Sequence, residues 1–136
     1  MPFGFLNIFD DDKKISPNQY SALTLAYIGD CVYELYVRLY LIRYKDYPMK
    51  VLHKSATNYV KASAQAEYFR RIEGILTDEE TAVFKRGRNT NSHPPKNADM
   101  VDYKIATGVE ALIGYTYLKG DKNRLMDLLG YIKDIT

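Results

Sequence analysis

The stretch Leu25-Ala26-Tyr27-Ile28-Gly29-Asp30-Cys31-Val32-Tyr33-Glu34-Leu35 sets a carboxylate in the middle of the most apolar part of the chain. Around it Leu23, Ala26/Tyr27, Asp30, Glu34, Val37 and Leu41 recur at helical spacing, which predicts one long helix reaching about Tyr44. Ser16-Pro17-Asn18-Gln19 supplies its start: a cap serine, proline at the first helical position, and glutamine three residues after the cap. Leu23, Tyr27, Asp30 and Glu34 form the stripe expected to face inward. A second apolar helix is predicted over about residues 98–118, capped by Asn97 and ended by Gly120, with Tyr103, Ala106, Glu110, Ile113 and Tyr117 facing inward.

Each of these helices contains an acid that its surroundings do not neutralise. Between Lys14 and Glu34 the only formally charged residue is Asp30, and between Lys104 and Lys119 it is Glu110. Taking a lone carboxylate out of water costs several kcal/mol unless a counter-charge meets it. Such an acid stays protonated, pairs with a base from another element, or binds a metal ion, and spacing alone leaves all three open. Carboxylates converging from neighbouring helices would make a hard-oxygen site suited to Mg²⁺ or Mn²⁺. Glu34, four residues after Asp30, shares its face and can point at the same cavity. Gly29, Gly108 and Gly114 would let the helices approach closely.

Pro48 opens the next element, in which Leu52, Ala56, Tyr59, Ala66, Phe69 and Ile72 keep one face, with a break near Lys61–Ser63. Thr77-Asp78-Glu79-Glu80 is a capping box, and Gly87 is read as the stop of its helix. Turn-forming residues from Arg88 to Asn97 make a loop long enough to suggest a use. Asp121 caps a last helix carrying Leu125, Leu128, Leu129, Ile132 and Ile135 on one face. No segment alternates with period two for long. The expectation is an all-α chain of five or more helices, with a flexible arm over residues 1–15 and one domain over 16–136.

With 136 residues, 46% of them hydrophobic, the chain can fill a single core without staples. The lone Cys31 excludes an intramolecular disulfide and a cysteine-cluster zinc site. With no signal-like or membrane-spanning stretch, a cytoplasmic protein without membrane contact is expected. Nineteen Lys and Arg against 17 Asp and Glu give only +2, so a nucleic-acid partner must be argued from where charges sit. Lys85, Arg86, Arg88 and Lys96 fall between Glu80 and Asp99, a stretch without acids. They form a candidate grip for an anionic polymer. Lys50, Lys54, Lys61, Arg70 and Arg71 form a second basic group, for which a plain solvated surface weighs equally. Neither His53 nor His93 lies in a catalytic pattern, and most tyrosines fall at core spacing.

Tyr27-Ile28-Gly29-Asp30-Cys31-Val32-Tyr33-Glu34-Leu35 resembles the signature helix of the ribonuclease III family, and Ala106-Thr107-Gly108-Val109-Glu110-Ala111-Leu112-Ile113-Gly114 resembles its second acidic motif. Lys85-Arg86-Gly87-Arg88-Asn89 followed by Pro95-Lys96-Asn97 resembles the linking loop of the family's Mini branch, which has a catalytic domain and no double-stranded-RNA-binding domain. The resemblance implies a metal-dependent endoribonuclease, with Asp30 and Glu110 as metal ligands and catalytic residues, Mg²⁺ as cofactor, and Mn²⁺ as a substitute. It further implies double-stranded RNA as substrate, in particular the ends of precursor 23S ribosomal RNA, and a homodimer with Tyr27, Val32 and Leu35 near the interface. A ribosomal-protein helper is compatible with it. Ala26 and Thr107 stand where larger members carry two further acids, and Glu34 and Asp99 are the candidates to make up that charge. The rival readings are a non-catalytic RNA-binding or ribosome-assembly protein of the same fold, and a helical interaction module without RNA.

Overall fold

Ser16 opens a single 3-10 turn, Pro17–Gln19, in which the Gln19 side chain accepts from the Ser16 amide at 3.0 Å. The long helix does not begin there. Tyr20 is extended and its carbonyl accepts from the Arg86 guanidinium at 2.9 Å, so the chain restarts at Ser21, whose hydroxyl caps α1, Ala22–Ile42. In this computed structural model, which describes residues 15–136, the flexible-arm expectation falls on residues outside the described ones, Ile15 aside.

Five more helices follow: α2 (Met49–Val60), α3 (Ala62–Ile72), α4 (Asp78–Arg88), α5 (Met100–Lys119) and α6 (Lys122–Leu129). A 3-10 segment, Gly130–Ile135, completes the chain, and the described residues include no strand. The fold is all-α, as its sequence predicts. The expected break between α2 and α3 is one extended residue, Lys61. Thr77 and Glu80 exchange the reciprocal bonds of a capping box, at 3.1 and 2.9 Å. Gly87 does not stop α4, which continues through Arg88; this glycine faces Gly108 and Ala111, where a Cβ would collide. Asp99 rather than Asn97 caps α5, accepting from the Asp102 amide at 3.0 Å. Asn97 instead takes a left-handed turn conformation, φ 72°.

The centre of the molecule is α5. From Ala106 to Thr116 every residue except Glu110 is buried, because α1, α3 and α4 all pack around it. A helix apolar on all sides demands such surroundings. The main core gathers Tyr33, Val37, Tyr68, Ile72, Phe84, Val109, Leu112, Leu125 and Ile132, and a smaller one Leu25, Ala26, Val83, Ala111 and Tyr115. Arg124 ties the far end together, with bonds to both Glu80 oxygens and to the Ile75 carbonyl.

The α1 stripe differs from the expected one. Ala22, Leu25, Ala26, Gly29, Tyr33 and Val37 face α5, while Leu23 and Tyr27 are 47% and 78% exposed. Gly29, with Ala22 and Ala26 on the same face, lets the two helices meet at backbone distance; Leu25, Tyr33 and Val37 are buried beside that contact, and Leu23 and Tyr27 fall outside it.

Candidate active site

A Cβ on Gly29 would lie 1.6 Å from the Glu110 carbonyl oxygen, and one on Gly114 would lie 1.9 Å from the Leu25 carbonyl oxygen. Helices α1 and α5 therefore touch main chain to main chain at the residue before Asp30 and at Glu110 itself. Glycine is the only side chain such a crossing admits. The consequence for function is direct: the two lone acids are brought against each other.

Asp30 is exposed and Glu110 half-buried. Burial, then the nearby Asp30 charge, pushes the Glu110 carboxyl up to about 7, and the Glu34 charge acts in the same direction. The opposing influence is Gln65, whose Nε2 donates to Glu110 Oε2 at 3.3 Å and to the Val60 carbonyl at 2.9 Å. Below this pair, burial and the Glu110 charge raise the Tyr33 hydroxyl, which donates to the Tyr59 carbonyl at 2.7 Å. Like charges held together at the edge of a core are a site that favours a cation.

Glu34 is half-buried and forms an i,i+4 ion pair with Arg38 at 2.9 Å. Asp99 is occupied as the α5 cap and lies three helical turns from Glu110, too far to contribute its charge there. Ala26 and Thr107 are both buried, and the Thr107 hydroxyl donates back to the Tyr103 carbonyl at 3.1 Å. Among the described residues no group of three or more His, Cys, Asp or Glu side chains could hold a metal ion.

The Ribonuclease III domain family matches residues 23–121, a span that holds both acids and the crossing between them. The chain belongs to the ribonuclease III family. Its relatives place it in the Mini branch. It is 47% identical over 110 residues to the Mini-ribonuclease 3 of Thermoanaerobacter sp. (strain X514), covering 80% of this chain and 78% of the relative. To the Mini-ribonuclease 3 of Clostridium tetani it is 48% identical over 113 residues, covering 82% and 75%. The crystal structure of protein FN1578 from Fusobacterium nucleatum superposes with a TM-score of 0.79 at 28% identity, covering 89% of this chain and 98% of that one.

As a member of the ribonuclease III family, a family of endoribonucleases, the chain is expected to work with a divalent metal. The donor set fits one. Mg²⁺ is commonly held by one or two carboxylates and completes its shell with water and substrate phosphates, and Asp30 with Glu110 offers that minimum. The basic residues divide between two elements. Lys85, Arg86 and Arg88 stand on the last turn of α4, where the helix dipole favours cations; Lys96 lies in the connection, residues 89–99, to α5. Lys85 and Lys96 are exposed. Arg88 bonds the Asn89 side chain at 3.1 Å and stands 5.8 Å from the centre of the Phe84 ring.

Sequence reasoning overlooked Gln65. Its signal was a polar residue at helical spacing with Phe69 and Ile72, on a face that is otherwise apolar.

Proposed function

We propose that this chain hydrolyses phosphodiester bonds in double-stranded RNA, with Asp30 and Glu110 as the catalytic metal ligands. Glu34, paired with Arg38, adds its charge beside them rather than a third ligand. The observation that carries this reading is the pairing of two carboxylates from separate helices, one of them pushed up to about 7 by burial and by its neighbour's charge. A bound Mg²⁺, or Mn²⁺ in its place, supplies a Lewis acid for the phosphate and a water of lowered pKa. The chain's own part is positioning. Asp30 and Glu110 offer hard oxygens in a fixed arrangement, and no histidine is needed as base. Lys85, Arg86, Arg88 and Lys96 hold the phosphate backbone, so recognition follows A-form shape rather than base identity.

The second half of the proposal is a homodimer. Leu23, Tyr27, Leu35 and Leu39 are 47%, 78%, 50% and 55% exposed and recur at four-residue steps along α1, with exposed Cys31 between them. Exposed apolar residues in a row favour a protein partner. A second copy on this face puts two carboxylate pairs on one RNA duplex, one for each strand. Val32, by contrast, packs on the chain's own core. The precursor 23S ribosomal RNA of the Mini branch is the substrate we favour, in the cytoplasm, with a ribosomal protein as presenting partner. Among the described residues no helix is long and apolar enough to cross a membrane.

A long RNA duplex incubated with the protein should be cut only when Mg²⁺ or Mn²⁺ is present, giving short products with 3′ overhangs. Binding without cutting at any metal concentration would support the non-catalytic reading, which the packed Ala26 and Thr107 favour. Replacing Lys85, Arg88 and Lys96 by serine is expected to weaken duplex binding uniformly across sequences. The slope of log affinity against log salt should fall by about one for each phosphate no longer neutralised; an unchanged slope would remove these residues from the interface. Tyr27→Lys with Leu39→Lys should convert a dimer into a folded monomer, read by sedimentation, and a variant that still sediments as a dimer would exclude this face.

A further inference from the structure

The extended backbone at Lys61 leaves the Val60 carbonyl facing the first turn of α3, and there Gln65 takes it. Gln65 is 4% exposed. Its amide nitrogen donates to two acceptors, Val60 O at 2.9 Å and Glu110 Oε2 at 3.3 Å. That fixes the orientation of the amide, since a flipped group would set its own oxygen against both. The other half of the same side chain is a liability. Gln65 Oε1 is buried and meets no hydrogen-bond donor among the described residues, and a buried acceptor left unpaired is destabilising. A leucine or methionine would fill this volume without that cost, so the glutamine is explained by what its nitrogen does.

We infer that Gln65 is a positioning residue for Glu110: its amide ties one carboxylate oxygen to the α2–α3 break and holds the group in the orientation in which it meets Asp30. The inference rests on the reading of Asp30 and Glu110 as a cation-binding pair. With Gln65 in place the carboxylate is not free to rotate, and little ordering remains to be done when a divalent ion arrives. Groups that orient a metal-binding side chain commonly govern affinity by about 10–100-fold. The role also links an element without any acid of its own, α2, to the chemistry, because the carbonyl that anchors the amide is the last of that helix.

The test is calorimetric titration of the metal-free full-length protein with Mn²⁺, for wild type, Gln65→Met, Gln65→Asn and Asp30→Asn, with helix content by circular dichroism as the check on folding. Gln65→Met should fold and bind Mn²⁺ about 10–100-fold more weakly. The Mg²⁺ concentration for half-maximal RNA cleavage should rise by the same factor, while the rate at saturating Mg²⁺ falls less. Gln65→Asn, with the amide on a shorter stem, should lie between the two. Wild-type Mn²⁺ affinity in Gln65→Met, together with loss of binding in Asp30→Asn, would overturn the role of Gln65 and leave the carboxylate pair standing. Wild-type affinity in Asp30→Asn would remove the pair, and the inference with it. Should Gln65→Met not fold, undiminished affinity in Gln65→Asn would overturn the inference.

Discussion

Asp30→Asn should lower the rate of duplex RNA cleavage by about 10³-fold or more while making the metal-free protein more stable. The loss follows from removing one of two hard-oxygen ligands, since the metal supplies several kcal/mol of charge stabilisation. The gain follows from electrostatics: the Asp30 charge is one of the causes that push Glu110 up to about 7. Glu110 is then an acid whose folded pKa lies above its unfolded value of 4.5. Between the two values this group binds a proton in the folded protein and not in the unfolded chain, so its contribution to stability is fully present below about 4.5. Glu80, which Arg124 holds below the ordinary carboxylate range, loses its contribution as pH falls in the acid range. The Glu110 contribution falls as pH rises through about 7 and then levels off, a loss of at most about 3 kcal/mol. In Asp30→Asn the decline should be shallower without vanishing, because burial of Glu110 remains. Melting temperature against pH in a chelating buffer reads both effects. Cleavage by the asparagine variant at the wild-type rate, or wild-type stability that climbs over this window, would contradict the account.

Gly114→Ala should cost about 3 kcal/mol or more, a large share of the roughly 5–15 kcal/mol that holds an ordinary domain folded. Overpacking a close-packed contact typically costs about 1–3 kcal/mol, and more where backbone rather than a side chain must yield. Here the added carbon would sit 1.9 Å from the Leu25 carbonyl oxygen and 2.9 Å from the Gly29 nitrogen. Only separation of α1 from α5 relieves that clash. The same separation pulls Asp30 away from Glu110, so whatever fraction still folds should lose metal-dependent cleavage as well. Gly130→Ala is the control: nothing lies within 4 Å of a Cβ there, and its stability should be unchanged or slightly raised. Denaturant midpoints for the two variants make the comparison, and a Gly114→Ala midpoint equal to that of Gly130→Ala would show that the crossing is looser than its distances say.

The all-α class, the Thr77 capping box, the break at Lys61 and the two lone acids of the candidate site were legible in the sequence, because each depends on residues within a few positions of one another. The candidate site was legible as a pair of anomalies: charges without neighbours, each beside a glycine. Expectations failed where a distant contact overrode a local signal. Arg86 draws off the Tyr20 carbonyl and α1 starts at Ala22, capped by Ser21; Gly87 serves a helix crossing and α4 runs past it; Asp99 caps α5, far from Glu110.

Period and capping determined that this is a helical chain with two misplaced carboxylates. Tertiary structure decided which face of α1 is inside. The apolar residues of that helix do not occupy a single stripe, so its rotation is set by steric fit: glycines at 29 and 114 allow a backbone contact, which buries Leu25, Tyr33 and Val37 and leaves Leu23, Tyr27, Leu35 and Leu39 toward solvent. The same contact decided that Asp30 meets Glu110, and the packing of α3 on α5 decided that an uncharged glutamine 45 residues earlier in the chain bonds Glu110. Periodicity sees neither, because a hydrogen bond between remote residues depends on how helices cross and leaves no spacing to read.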